Sequence, residues 1–121
     1  MTTITQKKME HVIDAANQSI GRLASRVATI LQGKLHPTYE QRMPGADSVI
    51  IKNAGKVKIT PKKATQKIFY RHTGYMGHLK ELPLKIAFEK DPIEVIRRTI
   101  KMMLPQNRLL EKRLKRLRIE K

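Results

Sequence analysis

The sequence predicts an α/β fold grown around a parallel strand–helix–strand unit, and three stretches carry that prediction. His11-Val12-Ile13-Asp14-Ala15 is a short apolar run of strand length. Ile20, Leu23, Ala24, Val27, Ile30 and Leu31 then recur at three- and four-residue steps, the spacing that places them on one face of a helix. Val49-Ile50-Ile51 is a second apolar run, closed by the turn-forming Asn53-Ala54-Gly55. Strand, helix and strand within about forty residues is the spacing of a right-handed crossover between parallel neighbours.

Taken in order, residues 1–9 are polar and are expected to form a flexible N-terminal segment. They lack the apolar stretch of a secretory signal and the arginines of an organelle-targeting segment. Asn17-Gln18-Ser19 supplies a turn, with Ser19 placed to cap the first helix. Arg22, Ser25, Arg26 and Thr29 fall on its other faces, and Gly33 is its expected stop. Residues 36–45 read as an irregular connector. Lys56 to Thr60 alternates charged and apolar, as an edge strand or an extended segment would, and Pro61-Lys62-Lys63-Ala64 opens a single helical turn. Lys67-Ile68-Phe69-Tyr70-Arg71 alternates again and is expected to be a third main strand.

A short helix follows from Pro83 to Glu89. Asp91-Pro92-Ile93-Glu94 then reads as a compact helix start, with Asp at the cap, Pro at the first position and Glu three after the cap. Ile93, Ile96, Ile100, Met103 and Leu104 form the buried stripe of that helix, Arg97, Arg98 and Lys101 face outward, and Pro105 ends it. From Arg108 onward, Leu110, Leu114 and Leu117 lie on one side of a helix ringed by basic residues. The expected organisation is one α/β domain over residues 10–104 and a basic C-terminal helical arm over 105–121.

Charge narrows the function. The 121 residues hold 26 Lys+Arg against 10 Asp+Glu, a net charge of +16. Residues 1–60 account for +5 of it and residues 61–121 for +11. Such a surplus opposes compaction unless a polyanion neutralises it; the usual one is a nucleic acid, with an anionic membrane face as the rival, and it is expected to be bound mainly by the second half. No apolar run approaches the roughly 18 residues of a membrane span. With no cysteine there are no disulfides or thiolate metal sites, and a cytoplasmic protein is the default.

The stretch most suited to that partner is Phe69 to Leu79. Tyr70 and Tyr75 offer flat faces to an unpaired base or a ribose, and Arg71 is a charged fork suited to phosphate. His72 and Thr73 lie between them, while Gly74 and Gly77 allow the backbone to bend against a bulky surface. Gly74-Tyr75-Met76-Gly77 has the spacing of the KH-domain GxxG loop, but it follows a strand rather than joining two helices. Lys62, Lys63 and Lys67 are expected to flank this loop. In the C-terminal segment Arg108, Lys112, Arg113, Lys115, Arg116 and Arg118, offset only by Glu111 and Glu120, read as a phosphate-tracking surface. Arg22, Arg97 and Lys101 complete the expected RNA-binding set.

Enzymatic signatures are missing. There is no GxGxxG, no phosphate-binding Gly-x-x-x-x-Gly-Lys loop and no Gly-x-Ser-x-Gly elbow. His11, His36, His72 and His78 lack metal-ligand spacing. Asp14, at a strand end, reads as a turn-stabilising residue. Two rival readings are a free-standing RNA-binding regulator using the same surface, and a small α/β enzyme using Asp14 or His72.

In combination, five stretches are specific. Val12-Ile13-Asp14-Ala15, Ile20-Gly21-Arg22-Leu23-Ala24-Ser25, Val49-Ile50-Ile51-Lys52-Asn53-Ala54, Tyr70-Arg71-His72-Thr73-Gly74-Tyr75 with Gly77, and Met103-Leu104-Pro105 occur in that order. The chain thereby resembles the large-subunit ribosomal protein family numbered thirteen, in its bacterial branch. It departs from the family pattern at Met102, where a glycine is usual, and at Asn107 and Leu110. The resemblance implies a three-layer α/β/α fold with a four-stranded, mainly parallel sheet. It also implies a structural role in the cytoplasmic ribosome, binding large-subunit rRNA early in assembly beside neighbouring ribosomal proteins. No enzyme activity, cofactor, membrane or small-molecule substrate is expected.

Overall fold

A computed structural model describes residues 8–121, the side chains of residues 63–65 excepted. Strands β1 (Glu10–Asp14) and β2 (Ser48–Lys52) run parallel, with His11 opposite Val49 and Ile13 opposite Ile51. Helix α1 (Ile20–Gln32) connects them, so the strand–helix–strand unit is as the periodicity predicts. Its buried residues include the whole stripe read from sequence, and Gly33, at φ 84°, closes it in the left-handed conformation. Ser19 makes no side-chain cap bond; its backbone bridges to Lys58 instead.

Beyond β2 come α2 (Pro61–Gln66), the antiparallel pair β3 (Ile68–His72) and β4 (Leu79–Pro83), and α3 (Leu84–Lys90). Next are α4 (Pro92–Met103), α5 (Leu110–Lys115) and β5 (Leu117–Ile119). Helix α4 packs along α1, and the Asp91 carboxylate caps it by accepting from the Glu94 N–H at 3.4 Å. Val95 and Thr99 are buried in α4 beside Ile96 and Ile100, whereas Met103, expected in the stripe, is exposed. The buried stripe is thus Val95, Ile96, Thr99 and Ile100 with Leu104 just beyond the helix.

Three expectations about the sheet need correction. The main sheet has three strands in the order β1-β2-β5, all parallel, rather than four. The third strand is β5 from the C-terminus, not residues 67–71, which pair only with β4 in a separate hairpin. The basic C-terminal segment is therefore built into the body and is not a helical arm. Leu110, Leu114 and Leu117 fit a helical period, but Leu117-Arg118-Ile119 also alternates with period two. The need to pair the open edge of β2 decides between them.

Layering differs as well. Ile13, Val49, Ile51, Leu117 and Ile119 are buried on one sheet face. The opposite face presents Glu10, Val12, Asp14, Lys52 and Arg118 to solvent, with Ser48 and Ile50 half-buried. Among the described residues the sheet is thus covered on one face, where three layers were expected. The flexible N-terminal segment falls mostly outside the described residues. Within it, Met9 is held by its carbonyl, which accepts from the Ser48 N–H at 3.0 Å.

Candidate nucleic-acid interface

Hairpin β3–β4 stands out because little of it is buried. Phe69 and Ile68 at its base are partly buried, yet from Tyr70 through Leu82 every residue is exposed, on both faces of the ribbon. A two-stranded ribbon solvated on both sides is marginal by itself. Its cross-strand register adds a further cost: Arg71 lies directly opposite Lys80, a like-charge pair. A polyanion laid across the ribbon would turn that repulsion into attraction.

The turn is shaped by its glycines. Gly74 and Gly77 sit at φ 91° and 74°, in the left-handed region that disfavours a side chain, although a Cβ would meet nothing within 4 Å at either. Their requirement is conformational. The Gly74 N–H donates to His72 Nδ1 at 2.9 Å, and the Thr73 N–H donates to the His78 carbonyl at 3.2 Å. Together these leave Tyr75 at 74% exposure, edge-on to His78, with Met76 at 96%. Large apolar groups held this far into water are the residues a partner would cover.

The hairpin is tied to the body by Phe69. Arg98 of α4 lies over its ring at 4.8 Å and Lys67 at 5.7 Å, both in cation–π geometry. Beside it, a largely apolar cleft of about 240 Å³ lies between the hairpin base and α3–α4, with Leu82 and Val95 in its walls. Arg97 and Lys101, on the same helix, line two adjoining grooves against α5 of about 440 and 410 Å³, into which Lys115 and Arg108 also project with Glu111. Helix α4 therefore carries cations toward both basic regions.

The sequence comparisons decide the family. The model for ribosomal protein L13 matches residues 8–120. The large ribosomal subunit protein uL13 of Chloroflexus aggregans is 44% identical, with 98% of this chain and 87% of the relative covered. That of Herpetosiphon aurantiacus is 43% identical over 98% of this chain and 86% of its own length. For Lachnospira eligens the values are 48%, 87% and 74%. The chain belongs to the ribosomal protein L13 family. Its relatives carry the name of the large ribosomal subunit, which places the family in translation, and none of these three is named for a reaction.

Within this family member the residues expected to bind RNA fall into three groups. Lys67, Tyr70, Arg71, His72, Thr73, Gly74, Tyr75 and Gly77 are gathered on the hairpin, with Lys62 exposed on nearby α2. The Lys63 side chain lies outside the described residues. Arg97, Lys101, Arg108 and Lys115 share the grooves between α4 and α5, and Lys112 is exposed on α5. Arg22 on α1 and Arg118 on the open sheet face are exposed elsewhere. Among the described residues no helix is long and apolar enough to cross a membrane, and no group of three or more His, Asp or Glu side chains is arranged so that it could hold a metal ion.

Arg113 and Arg116 depart from the surface orientation expected of them: both face inward. Arg113 is 2% exposed and its Nη2 donates to the Met43 carbonyl at 3.2 Å. Arg116 donates to three backbone carbonyls, those of Leu31 at 2.8 Å, Pro44 and Asp47. It pins the connector before β2 to the end of α1. Gly45, at φ 80°, passes so close that a Cβ would lie 3.1 Å from the Leu31 carbonyl oxygen. Counting basic residues along the segment gave no sign of this.

Asp47 is the other residue that sequence reading passed over. Fully buried, it accepts from His36 Nε2 at 2.8 and 2.9 Å, His11 Nε2 at 3.1 Å and the Met9 N–H at 3.3 Å. Burial pushes its carboxyl up, but the hydrogen bonds from His36, His11 and Met9 outweigh this and hold it below the ordinary carboxylate range. Its folded value is lower than the unfolded value of about 4, so its stabilisation is in place above that pH and fades as pH falls through the folded value. Acid titration of Asp47→Asn, followed by circular dichroism, should show a shallower loss of stability below about pH 4 than the parent. An unchanged acid limb would show that the cluster contributes nothing. Asp14 has the turn role expected of it: its Oδ1 accepts from the Ala16 N–H at 3.0 Å and Asn53 Nδ2 at 2.9 Å.

Proposed function

We propose that this protein is a structural constituent of the large ribosomal subunit that grips large-subunit rRNA through the β3–β4 hairpin and the cationic faces of α4 and α5, and supports early assembly. The observation that carries this reading is the hairpin itself: a doubly solvated ribbon with Arg71 facing Lys80 and both tyrosines exposed. Cations displace counterions and supply affinity, while the shape of the hairpin and its flat side chains select folded, partly unstacked RNA. Neighbouring proteins of the subunit are expected to lie beside it, and its compartment is the cytoplasm. With about eight side chains neutralising phosphates, the log–log salt dependence of rRNA binding should have a slope of roughly −6 to −7. A slope shallower than about −2, measured by filter binding across a salt series, would rule out this electrostatic grip.

A further inference from the structure

We propose that the cavity between the C-terminal end of α1, residues 39–41 and the Pro105-Asn107 turn is a binding site for a phosphate-type oxyanion. The cavity measures about 330 Å³ and is walled by Gln32, Lys34, Tyr39, Gln41, Asn107 and Arg113, with Pro105 at its edge. Its chemistry is one-sided: two cations, three amides and a phenol, and no carboxylate. Such a lining offers donors to an anion and carries no negative charge to repel one.

Arg113 supplies the second, independent observation. Although 2% exposed, it leaves Nε and Nη1 without any acceptor among the described residues. A buried guanidinium with unmet donors is costly unless an acceptor, best an anionic one, can reach it. The local charge balance makes that worse. Arg116 has its pKa lowered first by burial and then by repulsion from Arg113, with Asp47 only partly offsetting them. The Asp47 carboxylate is already bonded to both His11 and His36. Positive charge here exceeds the negative charge available inside the chain. Arg113 thus lines the cavity wall and carries two unmatched nitrogens, and Lys34, exposed at the same wall, supplies the second cation an anion would meet there.

The oxyanion has two sources, an RNA phosphodiester and free inorganic phosphate. The RNA source rests on the function proposed above; the free anion does not. The test uses the full chain and thermal melts in inorganic phosphate against sodium chloride at matched ionic strength. Phosphate should raise the midpoint by about 3 °C or more beyond chloride. Lys34→Gln should remove most of that gain, and Lys85→Gln, which deletes an equal charge from α3, should retain it. Should Arg113→Met fold poorly, the Lys34 and Lys85 pair still decides. The same two variants are then titrated with a short unstructured oligoribonucleotide. A roughly tenfold weakening for Lys34→Gln alone assigns the site to an RNA phosphate, whereas unaltered RNA affinity with a lost phosphate shift assigns it to the free anion. No phosphate-specific shift, or one that both variants reduce equally, overturns the site and leaves the hairpin reading standing.

Discussion

Replacing Arg71 and Tyr75 together with alanine is expected to weaken rRNA binding about 100-fold, since a stacked base contributes about 1–3 kcal/mol and the lost phosphate contact adds to it. Fold stability should hardly change. Both side chains are exposed, and Arg71 lies opposite Lys80, so removing it relieves a repulsion in the free protein. The expected signature is therefore a large loss of affinity beside an unfolding midpoint that stays level or rises slightly. Filter binding and urea melts of the same preparations read both quantities. Parallel losses of affinity and stability would mean that the hairpin is a packing element and not a gripping one.

Arg116→Ala should behave in the opposite way. Its guanidinium donates to the carbonyls of Leu31, Pro44 and Asp47, and alanine would strand all three in a region that admits little water. Losing such a charged, multiply bonded anchor should cost about 3–5 kcal/mol of stability, read from the urea midpoint. Any loss of RNA binding should then appear only under conditions where the variant is partly unfolded. A cost below about 1 kcal/mol would show that the connector is held by other contacts. The contrast between these variants separates the arginines that reach outward from those that hold the fold.

That distinction is the part of the molecule least legible in sequence. The apolar stripe and the stop of helix α1 were readable, because six apolar residues repeat at one helical spacing and Gly33 takes the left-handed conformation that a side chain disfavours; the expected Ser19 side-chain cap is not made. The start of α4 was equally clear from Asp91-Pro92. The C-terminal segment was not. Leu110, Leu114 and Leu117 satisfy a helical period, and only the unpaired edge of β2, a tertiary fact, makes Leu117-Arg118-Ile119 a strand. Once that strand docks, Arg113 and Arg116 are drawn inside, where the carbonyls of residues 31 and 43–47 give them partners. Residues 67–71 failed as a main-sheet strand for a related reason. Their alternation is genuine, but it belongs to a ribbon whose second strand, Leu79–Pro83, carries a mixed pattern with no turn signal shorter than six residues. The bend beyond β3 was legible because Gly74 and Gly77 mark it in sequence, and both sit at positive φ in the structure.

Crosslinking within purified large subunits, followed by mapping of the attached nucleotides, goes straight to the role assigned to the ribbon. A photoreactive group placed at Met76, an almost fully exposed side chain at the turn, should attach to large-subunit rRNA at one compact site. Attachment to protein alone, or to RNA scattered without a preferred position, would show that the ribbon does not hold rRNA.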